Sequence, residues 1–301
     1  MSRRLLPFAA LALIGCAAAL PGNAAPQAPQ SGLRPDAAAE RLAPHRAVYR
    51  LTLKSARNSS GVVAAEGAMQ YRLGETCEAW TVETNIYLRL AYAERGDMNI
   101  TWSFVGHETK DGLGYRFRLR HARNGQTVDA FKGEARLTAP GAEGEARFDD
   151  PSGETVRLPK GTLFPTRHLA QLIAAAEAGQ RFFPKAVFDG SSLDNPYQIA
   201  AAITAPRPAP GDNAGDNAGD KAGAAGNAAD ALFRAAGLAR TTVWPVRMAF
   251  FPAGSRAAEP EFELGVDYRA DGVAQRIEQD YGDFVIDMVP GEIEALPKPK
   301  C

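Results

Sequence analysis

The chain has 301 residues, 45% of them hydrophobic, which is enough to bury a sizeable core. Its 34 basic and 35 acidic residues leave a net charge of −1, without the basic excess of a nucleic-acid binder. Beyond the N-terminal segment no apolar run reaches the length of a transmembrane helix.

The first segment reads "MSRRLLPFAALALIGCAAALPGNAA". Arg3 and Arg4 precede a short apolar run, Leu5 to Gly15, and small residues set a cleavage point near Ala24 or Ala25. Residues 1–25 therefore read as a secretory signal. A second reading is open, because Leu13-Ile14-Gly15-Cys16 resembles a lipobox, in which Cys16 is the candidate lipidation residue. Residues 26–42, rich in Ala, Pro and Gln, read as a disordered tether ahead of a domain over 43–301.

Removing or acylating Cys16 leaves two of the 3 cysteines, Cys77 and Cys301. The space beyond a secretory signal is oxidising, and two thiols there pair within the chain in one way. A Cys77–Cys301 disulfide is expected, with free thiols or an intermolecular bridge as the alternatives. The terminal "LPKPKC", stiffened by two prolines, then becomes a strap rather than a loose end.

From His45 onward apolar residues alternate with polar ones. Tyr49, Leu51 and Leu53 share one face, as do Met69, Tyr71 and Leu73. The same holds for Trp80 to Leu90, for Met98 to Phe104, and for Tyr115, Phe117 and Leu119, which alternate with arginines. This period of two means antiparallel strands with one face on a core. Asp111-Gly112 and Asn124-Gly125 mark hairpins. The pattern continues through Glu134–Phe148 and Glu154–Leu158. It resumes at Phe182–Phe188, Tyr197–Thr204, Thr241–Phe251, Glu261–Tyr268 and Val273–Met288. The expected fold is mainly β: about a dozen strands in a long antiparallel sheet that closes or curls to protect its apolar face.

"FPTRHLAQLIAAAEAGQ" breaks the period. Leu169, Leu172, Ile173 and Ala176 form a helical stripe, with Thr166 expected as the cap, Pro165 outside and Gly179 at the stop. The helix is expected to cover the concave face of the sheet or plug one mouth. Residues 205–230, with repeated Gly-Asp-Asn-Ala, hold no aromatic or branched aliphatic residue and read as a disordered insertion, with a short helical turn at Ala231–Leu238.

Little of the chain offers chemistry. A tight turn at Asp111-Gly112 sets His107 opposite Arg116 and His121 opposite Trp102, too far apart for a metal pair. His168, in the first turn of the helix, and Ser191 and Ser192 in "DGSS" lack a nucleophile elbow, so His168 reads as a hydrogen-bonded structural residue. His45 reads as structural too. Asp280 and Asp283 fall on opposite faces of a continuous strand, unless Gly282 marks a bulge. No phosphate-binding glycine motif is present, and no cofactor or metal is expected.

"APHRAVYRLTL" (Ala43–Leu53), "LFPTRH" (Leu163–His168), "FFPKAVFDGS" (Phe182–Ser191), "WPVRMAFF" (Trp244–Phe251) and "DYGDF" (Asp280–Phe284) occur in this order. With Cys77 and Cys301 they resemble the EipB-type cell-envelope integrity proteins, over about Ala43 to Cys301. The resemblance implies a β-spiral, an open barrel with one helix against it, similar to the lipoprotein carriers LolA and LolB. It also implies a disulfide between Cys77 and Cys301, periplasmic location and an envelope-maintenance role without enzymatic activity. The function it implies is docking of other periplasmic proteins. The alternative is a carrier or sensor of lipid or lipoprotein acyl chains in a half-barrel cavity, and a hydrolase through His168 and Ser191 is the least favoured.

Overall fold

In the computed structural model, residues 39–207, 230–239 and 241–301 are described. Residues 1–25, read as a secretory signal, Cys16 among them, and most of the low-complexity segment lie outside them. Fourteen antiparallel strands form one sheet in the order β8-β7-β6-β5-β4-β3-β2-β1-β14-β13-β12-β11-β10-β9.

The first half runs β1 (His45–Ala56), β2 (Val62–Glu75), β3 (Ala79–Tyr92), β4 (Gly96–Thr109), β5 (Gly114–Arg123), β6 (Gln126–Leu137), β7 (Gly144–Asp150) and β8 (Thr155–Leu158). Then come α1 (Pro165–Glu177) and β9 (Phe182–Val187), β10 (Tyr197–Ile203), β11 (Val243–Phe251), β12 (Phe262–Arg269), β13 (Ala274–Asp280) and β14 (Phe284–Ala295). The first strand pairs with the last, Leu51 opposite Met288, so the two halves join into one ladder. Both expected hairpin registers hold: His107 faces Arg116 and His121 faces Trp102. Asn124 (φ 49°) and Gly125 (φ 80°) both turn left-handed between Arg123 and Gln126, as a two-residue hairpin loop demands.

Two expected segments each prove to be a pair of strands. Glu134–Phe148 is cut by a turn at 138–143, and Val273–Met288 is cut at 281–283, where Gly282 (φ 81°) sits in the turn. Across each turn the inward-facing positions change phase, from Ala135 and Leu137 to Ala146 and Phe148, and from Ile277 to Ile286 and Met288. The chain also packs earlier than Ala43: Leu42 is buried and Arg41 pairs with Glu177 at 2.6 Å.

The ends of the sheet meet through one short contact rather than a full ladder. Leu163, after β8, bridges Val187 of β9 in parallel, with Leu163 N–H donating to Ala186 C=O at 2.9 Å and Phe188 N–H donating to Leu163 C=O at 3.0 Å. The outward-pointing backbone of β9 also includes Pro184, which has no N–H to donate, so the strand resists further pairing at its free edge. The result is a curled, unclosed sheet.

The helix fills the concave side. Its buried residues are Thr166, His168, Ala170, Leu172, Ile173, Ala175 and Ala176, a wider arc than the expected stripe, and Leu169 is only partly covered. The main core packs Leu172, Ala175 and Ala176 against Tyr49, Leu51, Met69, Phe183, Trp244 and Met288. A second core is aromatic: Phe104, Tyr115, Phe117, Phe148, Phe164 and Phe188. Gly133 belongs to this second layer, because a Cβ there would lie 2.2 Å from the Arg147 carbonyl and 2.8 Å from the Phe117 ring.

Beyond β10 the chain leaves at Arg207, which forms a bridge with Val243, and returns to β11 beside β10, so the insertion opens between two paired strands. Its far flank is anchored: residues 230–235 are helical, Phe233 is buried against Val273, and the Arg269 guanidinium lies 4.5 Å from the Phe233 ring centroid.

Candidate functional site

The start of α1 is where buried polar chemistry concentrates. Pro165 is the first helical residue and Phe164 the N-cap, so Thr166 lies inside the helix and does not cap it. Proline suits that first position because its missing N–H would be unpaired anyway. The cap comes instead from the sheet. Glu108, near the end of β4 and 3% exposed, accepts Thr166 N–H at 2.7 Å on one carboxylate oxygen and Arg167 N–H at 2.9 Å on the other. A carboxylate at a helix N-terminus satisfies orphan donors and meets the positive end of the dipole. Burial nevertheless pushes the Glu108 carboxyl up to about 7, with the two N–H bonds opposing.

Glu108 lies in one cross-strand row with Trp80 and Tyr115, and Glu75 faces Trp80 from β2. Lys110 ion-pairs with Glu75 and sits 4.0 Å over the Trp80 ring. Just beyond this row, between β2 and β3, is Cys77. Cys77 and Cys301 are bonded, with Cα atoms 5.7 Å apart. The tail leading to Cys301 is tied along its length by Leu296 N–H to Pro44 C=O (2.8 Å) and Lys298 Nζ to Glu40 C=O (2.6 Å).

The histidines are scattered. Buried His45 binds the Ala43 carbonyl through Nδ1 at 2.7 Å, and burial lowers its pKa. His121 meets Asp129 at 2.9 Å on a different part of the sheet from His107. His168 departs from expectation: its Nε2 is buried without a hydrogen-bond partner among the described residues, and the ring packs 5.8 Å from Phe183. Burial, helped by the Lys185 charge, drives it down to about 4. Ser191 and Ser192 serve their own loop: Ser191 N–H donates to Asp189 Oδ1 at 2.8 Å, and Asp194 N–H donates to Ser192 Oγ at 2.9 Å. Tyr115 O–H reaches the Asp189 carbonyl at 3.3 Å, tying that loop to the aromatic core. Asp280 accepts Gly282 N–H within the β13–β14 turn. Among the described residues no group of three or more His, Cys, Asp or Glu is placed to hold a metal ion. No described helix is long and apolar enough to cross a membrane.

Two surfaces remain. On the inner face, Leu53, Ile86, Met98, Ile100, Leu264 and Phe284 flank the main core but are only partly buried. The outer face carries a shallow groove of about 530 Å³ over β6–β8, lined mainly by Arg and Glu, and one of about 480 Å³ over β11–β13, where Arg207, Arg247, Asp267, Arg276 and Glu278 stand among small and apolar residues. Glu108 was the site residue that sequence reasoning missed. It sits at an inward-facing strand position, in phase with Trp102 and Phe104, and an acid in such a register was the available signal.

Comparison with known proteins agrees with this geometry. The EipB-like family matches residues 36–297. The chain belongs to that family. It is similar to the cell envelope integrity protein EipB of Brucella abortus (strain 2308), 28% identical over 256 residues and 84% of each chain. Among solved structures it is similar to a β-barrel-like protein from Brucella abortus, with a TM-score of 0.71 and 27% identity, over 85% of this chain and 99% of that one.

Proposed function

We propose that this chain is a non-enzymatic periplasmic protein that supports cell-envelope integrity by docking other envelope proteins. The envelope role follows its relative, the cell envelope integrity protein EipB. The observation that carries the non-enzymatic reading is the use of Glu108. It is the described carboxylate best tuned for general-base work, yet both its oxygens are spent on the first N–H groups of α1. The test is crosslinking in living cells from photoreactive groups at Tyr87 and Val105, two exposed outer-face positions. Specific crosslinks to envelope proteins are expected. Repeated absence of a protein adduct refutes docking, and loss of envelope function in a folded Glu108→Gln variant refutes the non-enzymatic reading.

A second reading, carriage or sensing of acyl chains, is favoured by the partly buried apolar residues of the inner face. Native mass spectrometry of delipidated protein with added lipids tests it, and no bound lipid at high micromolar concentration refutes it. Anchoring through Cys16 is the matching alternative for location. Palmitate labelling of the wild type but not of Cys16→Ser supports it, and an unlabelled wild type refutes it.

A further inference from the structure

The outer face of β5 carries Arg116, Arg118 and Arg120, all exposed, because Tyr115, Phe117 and Leu119 point inward. Alternate residues of a strand lie about 7 Å apart, so the three guanidiniums form a line about 14 Å long. Their cross-strand neighbours do little to neutralise them. Arg118 faces Lys132 on β6 and Val105 on β4. Arg120 faces Ala130 and Ser103. Arg116 faces Glu134 and His107, but the ion pair of Glu134 is with Arg136, at 3.5 Å.

Like charges directly opposite each other destabilise an antiparallel pair. Among the described residues, Arg116 and Arg118 form no ion pair or side-chain hydrogen bond, and Arg120 binds the Thr127 hydroxyl alone, at 2.9 and 3.1 Å. Lys132 has one pair, Asp149 at 3.3 Å, exposed on both sides. Several outer-face arginines are matched: Arg72 with Glu83, Arg89 with Glu66 and Asp97, Arg247 with Glu263 and Glu278, Arg276 with Glu278 and Asp287. Exposed Arg50, Arg123 and Arg157 also form no ion pair among the described residues, but only on β5 do three such arginines stand in one row. The unneutralised row on β5 therefore works against the fold locally, and an external anion would relieve it.

From this we infer that the β5–β6 outer face docks onto an anionic lipid surface, its arginines holding phosphate headgroups. Guanidinium forks match phosphate oxygens, and a strand presents them in one plane, as a bilayer presents its phosphates. Exposed Val105, 44% accessible and directly beside Arg118, adds an apolar contact at the same level. This goes beyond the protein-docking reading, and the two succeed or fail separately.

The test is co-sedimentation of the oxidised full chain with vesicles of phosphatidylcholine alone or with phosphatidylglycerol added. Binding to the anionic vesicles, weakening as salt rises, is expected. Each basic residue near such a surface strengthens binding about fivefold, so Arg116→Ser with Arg118→Ser and Arg120→Ser is expected to weaken it about a hundredfold. Arg72→Ser with Arg247→Ser removes two matched arginines elsewhere and is expected to leave binding close to wild type. Thermal melting checks the fold, and the single Arg118→Ser, with an expected fivefold loss, serves if the triple variant does not fold. Equal binding to both vesicle types indicates an apolar anchor and overturns the proposal. So does a triple or single variant that binds as tightly as wild type, or binding only to acidic proteins.

Discussion

Replacing Glu108 by Gln isolates the energetic effect of the buried cap. In the folded chain this carboxyl holds its proton up to about pH 7, whereas its ordinary value is 4.5. The folded state then binds the proton more tightly than the unfolded state does. Its contribution to stability is fully present below pH 4.5 and is lost as pH rises through about 7. At about 1.4 kcal/mol per pH unit, the change over that window is about 3 kcal/mol. Gln has no charge to desolvate, but it offers one acceptor where two N–H donors wait, which costs a further 1–3 kcal/mol or so at every pH. His168, driven in the opposite direction, is common to both proteins and cancels in the difference. The assay is urea unfolding of wild type and Glu108→Gln at a series of pH values across the window. Wild-type stability minus variant stability is expected to fall by about 3 kcal/mol from pH 4.5 to 7. A flat difference would mean that Glu108 is not desolvated, and a rising one that the helix N–H groups outweigh burial.

The remaining expectations concern other parts of the fold. His168→Leu removes an orphaned buried nitrogen, so stability at neutral pH should hold or rise. The variant should also escape the wild-type loss of about 3 kcal/mol as pH falls from 6.5 to about 4, since the unfolded imidazole takes up a proton that the folded one refuses. Cys301→Ser opens a loop spanning 224 residues. Chain entropy then predicts a loss of about 5 kcal/mol, read as a thermal midpoint lower by roughly 10–20 °C under oxidising conditions and as no difference after reduction. Gly133→Ala drives a methyl into the Arg147 carbonyl and the Phe117 ring and should cost about 1–3 kcal/mol or more in denaturant unfolding. Arg72→Ala removes an ion pair with both partners well exposed and should shift stability by less than about 1 kcal/mol in the same assay.

Much of the fold was legible because its strands have one wet face and one dry face. Alternation such as Tyr115-Arg116-Phe117-Arg118-Leu119 needs no neighbour to be read, and the glycine dipeptides locate the turns and through them the registers of His107 and His121. The cysteine pairing was legible by counting, since two thiols in an oxidising space have one intramolecular partner each. Even so, Glu134–Phe148 and Val273–Met288 each contain a turn across which the inward phase switches, from Leu137 to Phe148 and from Ile277 to Met288, and reading each as one run of alternation overlooks that switch. What lay beyond the sequence alone were the contacts between distant residues. Nothing local to Thr166 says that Glu108, 58 residues earlier, will take its N–H. A side-chain oxygen at the expected cap position is a local signal, and the buried carboxylate that replaced it came from another element. Likewise the sequence determines that a strand carries Arg116, Arg118 and Arg120 on its polar face. Only the ladder decides that Lys132 and Val105 stand beside Arg118, and not the acids that neutralise arginines elsewhere. Periodicity sets which way each side chain points, while strand pairing sets what it meets, because pairing joins segments whose spacing along the chain carries no energy of its own.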